Sequence, residues 1–113
     1  MKNNKLEIFC VTNKQLPFLE KTKYHLAGVG KDSFNKAYIE SNTGENIIYK
    51  EKYYSELVFH YWFWKNELKK VNDHSWIGFY QKRRFWLSQK NITINNENDL
   101  LSNLLVEAPD AWQ

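Results

Sequence analysis

Ile8, Phe9, Cys10 and Val11 form an unbroken apolar run inside LEIFCVTN, flanked by polar residues. A short continuous run rich in strand formers predicts a strand over residues 5–13 that is covered on both faces, as in a parallel α/β sheet. Asn13 and Pro17 signal the loop that ends it. Residues 16–46 show no clear period. YHLAGV, residues 24–29, is a short candidate second strand, and a helical turn is expected around residues 32–40. Asn42, Thr43 and Gly44 supply the turn chemistry of a loop over residues 41–47.

The second half is more regular. Tyr54, Leu57, Tyr61, Trp64 and Leu68 recur at alternating spacings of three and four, which predicts a helix over residues 53–70. Val58, Phe59, Trp62 and Phe63 make its other faces apolar too, so burial from more than one side is expected. SWIGFY, residues 75–80, predicts a second good strand, followed by the charged QKRR. A last helix is predicted over residues 97–108, capped by Asn96 or Asn98 and carrying the stripe Leu100, Leu101, Leu104 and Leu105. Strand, weak region, helix, strand, helix is an α/β order. At most three strands are visible, and a doubly wound sheet normally has more. The expectation is a single domain over residues 1–113, a partial sheet flanked by helices. Such a unit would be the N-terminal part of a larger domain or a naturally short relative.

Composition narrows the function classes. The 113 residues are 42% hydrophobic and 17% aromatic, with five tryptophans, which suits heavy core packing as well as stacking surfaces. The net charge of +3 is mild and no block of like charge occurs, so a nucleic-acid tail is not indicated. One cysteine, Cys10, allows no intrachain disulfide, and its apolar setting predicts a buried, inert thiol. No secretory leader or bilayer-length apolar run is present, which predicts a cytoplasmic protein whose membrane association, if any, is peripheral. His25, His60 and His74 lack metal-ligand spacing, and no metal ligand set is predicted. There is no Asp-x-Asp, no nucleophile elbow, and AGVGKDS lacks the spacing of a phosphate loop.

Arg83 and Arg84 are the only arginines in a lysine-rich chain, and they are adjacent. The predicted strand places Gln81, Lys82, Arg83 and Arg84 just past its carboxyl end, where open α/β sheets bind ligands. A guanidinium fork matches phosphate oxygens with two hydrogen bonds, as a lysine does not. A structural salt bridge, or stacking on Phe85 and Trp86, would use the same residues. Glu56 and His60, four apart on the predicted helix, form either a polar pair facing a pocket or a capped first turn beside a satisfied histidine.

TGENI at residues 43–47, YYSELVFHYWFWKN at residues 53–66 and WIGFYQKRRFW at residues 76–86 occur in that order. Together with the opening IFCVTN they resemble the family filed as domain of unknown function 4422, described as bacterial glycosyltransferases of capsular and other surface polysaccharides. The resemblance runs from about Leu6 to Trp86. It implies a Rossmann-like fold of the glycosyltransferase A type, a nucleotide-sugar donor, and a glycan or lipid-linked glycan acceptor. It implies that Arg83 and Arg84, with Lys82, stabilise the leaving diphosphate, and that Thr12 and Asn13 lie near the nucleotide. Glu45, Asn46, Ser55 and Glu56 would contact the sugar or shape its pocket, Glu56 with a catalytic part. Gln81 and Lys82 stand where most relatives carry His-Tyr, so an imidazole is not supplied at Gln81. No cofactor is implied outright, and a divalent metal on the diphosphate stays open. A non-catalytic remnant or an anion-binding module built on QKRRFW are the other readings.

Overall fold

A computed structural model describes residues 5–30, 34–71, 75–81, 84–89 and 92–108. Four parallel strands form one sheet: β1 (Leu6–Thr12), β2 (His25–Gly28), β3 (Tyr38–Glu40) and β4 (Trp76–Gln81). Their spatial order is β3-β2-β1-β4. The architecture is therefore α/β, as the sequence predicts, with one strand more than the pattern reveals. β1 lies at the centre, paired with β2 from Phe9↔His25 to Thr12↔Gly28 and with β4 from Leu6↔Trp76 to Val11↔Gln81.

The unbroken apolar run of β1 is explained by its two covered faces. Ile8 and Cys10 point into a cluster with Leu19, Tyr24, Leu26, Tyr38, Tyr80 and Leu104. Phe9 and Val11 point the other way, against Ala27, Val29, Phe59, Trp62 and Phe63. Leu19 comes from α1 (Pro17–Glu20), a single turn opened by its proline. Phe59, Trp62 and Phe63 come from α3 (Leu57–Asn66), which covers the second face.

Four expectations are corrected. The helix predicted over residues 53–70 is not continuous. A 3₁₀ turn (Ile48–Lys50) leads into α2 (Glu51–Tyr54), the chain breaks at Ser55, α3 follows, and a second 3₁₀ turn (Leu68–Lys70) ends the segment. Ser55 causes the break with φ 49° and ψ −123°, a region that side chains other than glycine seldom occupy. The predicted stripe is also not the core face. Tyr54, Leu57, Trp64 and Leu68 are 46%, 54%, 58% and 46% exposed, while Val58, Phe59, Trp62 and Phe63 are buried.

The helical turn expected around residues 32–40 is replaced, over residues 34–40, by a turn and β3. Asn35 Oδ1 accepts from Ala37 N at 2.8 Å, an Asx turn that leads straight into Tyr38. Residues 32 and 33 of that stretch lie outside the described residues. The last helix, α4, is shorter than predicted, Glu97–Ser102. Asn96 caps it, accepting from Asp99 N at 2.8 Å. Beyond Asn103 the chain extends and packs beside the segment after β4, with a bridge between Leu87 and Leu104 and a bond from Leu105 N to Trp86 O at 2.8 Å. Tyr24 Oη fastens this corner by donating to the Leu105 carbonyl.

No helix among the described residues is long and apolar enough to cross a membrane.

Candidate functional site

From β1 the chain steps outward to β2 and β3, then returns across the sheet to lay β4 on the other side of β1. The point where strand order reverses, between β1 and β4, leaves a crevice at their carboxyl ends, the usual ligand position in such sheets. Thr12 and Asn13 stand on one side of it and Gln81 on the other, since Val11 pairs with Gln81.

Gln81 is the last residue of β4, not the first beyond it. Its Nε2 donates to Glu56 Oε1 at 2.7 Å. The other carboxylate oxygen, Oε2, accepts from Ser55 Oγ at 2.8 Å. The strained Ser55 thus turns α2 away and hands its hydroxyl to the residue that precedes α3. Strained backbone of this kind persists only where the surroundings hold it, and it clusters at functional sites.

One turn along, His60 packs its ring on Phe79 with centroids 4.6 Å apart. Burial holds the imidazole below its ordinary value, and the nearby Glu56 charge acts in the opposite sense. The uncharged form is favoured, so His60 is suited to accept a proton at neutral pH.

His60, Phe79, Tyr80, Gln81, Arg84, Phe85 and Trp86 line a cleft of about 550 Å³. Arg84 follows from a tight turn, its backbone N donating to Gln81 O at 3.0 Å. Trp86 is held by a bond from Nε1 to Phe79 O at 3.2 Å. Phe85 turns inward against Tyr80 and Phe18. Among the described residues the cleft therefore combines flat aromatic walls with the Arg84 fork, the Gln81 amide and the His60 imidazole.

The predicted residues divide into groups. Ser55, Glu56, Gln81 and Arg84 come together at the carboxyl end of β4. Thr12 is buried, and its hydroxyl serves its own turn, donating to Lys14 O at 2.7 Å and accepting from Lys14 N at 3.0 Å. Asn13 is exposed at the sheet edge. Glu45 and Asn46 do not line the cleft. Glu45 accepts from Tyr61 Oη at 2.8 Å and its backbone is clasped by Asn66, while Asn46 closes its own loop onto Gly44 O and Ile48 N. Lys82 and Arg83 lie outside the described residues.

His60 and Trp86 were within reach of sequence reasoning, His60 by its spacing from Glu56 and Trp86 by its place after the arginines. Phe79 was hidden inside an ordinary strand pattern. Among the described residues, no group of three His, Cys, Asp or Glu side chains is arranged to hold a metal ion.

A parallel α/β sheet with a mostly apolar, aromatic-walled cleft beside its switch point defines the class of protein. Residues 7–108 match the family described as Domain of unknown function (DUF4422), and the chain belongs to that family. No curated protein and no solved structure matches it.

Proposed function

We propose that this chain binds a nucleotide-sugar at the carboxyl edge of its sheet and serves sugar transfer in surface-polysaccharide synthesis. The observation that carries the reading is the cleft lined by His60, Gln81 and Arg84 beside the switch point, with Glu56 and Ser55 hydrogen-bonded in series behind Gln81. The strand order β3-β2-β1-β4 supports a Rossmann-like, glycosyltransferase A-type arrangement, because nucleotides lie across that crevice in doubly wound sheets.

The proposed chemistry uses the chain's own groups. The acceptor hydroxyl oxygen forms a bond to the anomeric carbon, and the bond from that carbon to the diphosphate oxygen breaks. Its electron pair leaves with the diphosphate, where Arg84, with Lys82 and Arg83 beside it in sequence, offsets the developing charge. The acceptor's proton passes to His60, and the Glu56 carboxylate stabilises the imidazolium that forms. Gln81 and Ser55 keep that carboxylate in place. Phe79 and Trp86 offer flat apolar walls for a sugar ring. The acceptor in this reading is a glycan or lipid-linked glycan, met in the cytoplasm at a membrane surface.

Thermal-shift titration with UDP- and GDP-sugars tests the reading. A rise in Tm that Arg84→Ala abolishes is expected. No shift with any nucleotide-sugar, or an unchanged shift in the Arg84→Ala variant, overturns it.

A further inference from the structure

We infer that Glu51 reads the ribose of a ribonucleotide, its carboxylate accepting from the hydroxyls of the cis-diol at the carboxyl ends of β1 and β2. The inference rests on the donor-binding reading above and extends it to a residue that no sequence pattern marks.

Glu51 opens α2 and is half-buried. Among the described residues its carboxylate has no hydrogen-bond or ion-pair partner. The chain leaves β2 through Gly30, whose φ of 101° carries no side chain into the space beyond the strand. A carbon built there would stand 3.5 Å from Asn13 Cβ and 3.6 Å from Glu51 Oε2. Asn13, Gly30 and Glu51 therefore meet at one spot, on the far side of β1 from the aromatic cleft. The backbone of Gly30 forms the floor, and the carboxylate forms a wall that can only accept hydrogen bonds when ionised.

Charge sorts the ligand along this edge. β2 and β4 flank β1, about two strand spacings or roughly 10 Å apart, and Glu51 stands beside the end of β2 while Arg84 follows the end of β4. A diphosphate is repelled from the carboxylate end and drawn to the guanidinium end. A diol suits the carboxylate, since it offers two donors to an acceptor that has no other partner there. Acidic side chains at the corresponding edge of dinucleotide-binding sheets take the ribose hydroxyl in this way. A ribonucleoside diphosphate thus has one favoured direction: ribose over β1 and β2, phosphates toward β4.

The test is isothermal titration of the whole chain with UDP, GDP and their 2′-deoxy counterparts. Wild-type protein should bind the ribonucleotide about tenfold more tightly than the deoxynucleotide, the scale of one hydrogen bond to a charged acceptor. Glu51→Ala should erase the preference, so that ribo- and deoxynucleotide bind within twofold of each other, while an unchanged far-UV CD spectrum reports an intact fold. Arg84→Ala should weaken both forms alike. Equal wild-type binding of the two forms, or equal loss of both in Glu51→Ala, overturns the role of Glu51 and leaves the donor reading standing. Absence of binding by all four nucleotides to wild-type protein overturns the donor reading, and the ribose contact with it.

Discussion

Gln81 Nε2 donates to Glu56 Oε1 at 2.7 Å, tying the end of the second-half strand to the residue that precedes the main helix. The bond joins a residue that lines the cleft to one on a segment distant in sequence.

Gln81→Ala removes the donor and leaves Glu56 held by Ser55 alone. Gln81 is exposed, so water takes the vacated place. The stability loss should be small, about 0.5–1 kcal/mol by urea unfolding. Nucleotide-sugar affinity should fall at least several-fold in the same variant, because Gln81 itself lines the cleft and its amide is lost from the wall. A binding loss no larger than the stability loss would make the contact merely structural.

Ser55 carries backbone strain as well as a hydroxyl, and substitutions separate the two. Thr keeps the hydroxyl, but its branched Cβ worsens a positive φ, so Ser55→Thr should destabilise by about 1–2 kcal/mol. Ser55→Gly relieves the strain and deletes the bond to Glu56, and should leave stability unchanged or raised by up to about 1 kcal/mol. Chemical-denaturation midpoints decide between them. The reverse ranking would mean that the hydroxyl outweighs the backbone.

His60 makes stability fall toward acid. Its folded-state value lies below its ordinary 6.5 because burial disfavours the imidazolium. Glu56 on the same helix opposes that effect, and the groups facing it across the cleft are Gln81 and Arg84. Near pH 6 the unfolded chain therefore binds more protons than the folded one. The contribution is fully present above 6.5 and is lost as pH falls from there toward the folded value. Urea midpoints at pH 7.5 and 5.5 should drop further for wild type than for His60→Gln. Equal drops would place the acid sensitivity elsewhere.

At alkaline pH the sign is opposite. Burial pushes the Cys10 thiol from 9.0 up to about 11 and the Tyr24 phenol from 10.0 up to about 12, and it raises the Tyr80 phenol further still. The folded chain keeps protons that the unfolded chain releases. Stability is present below pH 9 and is lost as pH rises through the folded values. Thermal melts should show Tm falling above pH 9, less steeply in Cys10→Ala. In the native state Cys10 should also resist a thiol reagent at pH 8 until denaturant is added. Fast labelling of the folded chain would contradict its burial.

Tyr80 Oη is buried beside the Cys10 thiol and the Thr22 hydroxyl, and makes no well-formed hydrogen bond among the described residues. Tyr80→Phe keeps the ring against Tyr24 and Phe85 and removes the unsatisfied hydroxyl. The variant should be as stable as wild type or up to about 1 kcal/mol more so, measured by Tm. A clear loss would show that the hydroxyl has a bound partner in solution.

Much of the fold was legible in the pattern. The four-residue apolar run of β1 required cover on both faces, and it has that cover. SWIGFY read as a strand because its residues are strand formers between polar stretches. β3 escaped because three residues cannot display a period, and its Asx turn resembles the start of a helix. Of the candidate site, the adjacency of Arg84 to a strand end and the spacing of Glu56 from His60 could be read directly. The bond between Glu56 and Gln81 could not, since nothing local ties residues so far apart in the chain. Glu51 could not either, because a glutamate in a polar helix start has no distinguishing neighbours in sequence.

The sequence by itself determined the α/β class, the place of the Ile8–Val11 run in a covered strand, an asparagine N-cap at Asn96 or Asn98, and the inertness expected of Cys10. These follow from side-chain hydrophobicity and local backbone preference, which act over a few residues. Only the tertiary structure decided which face of α3 is core. Both faces carry large apolar residues, so periodicity cannot choose between Tyr54-Leu57-Trp64-Leu68 and Val58-Phe59-Trp62-Phe63. The choice fell to Phe9 and Phe79 on the sheet, which pack against Phe59 and Phe63, and to the break at Ser55, which sets the rotation at which α3 meets them.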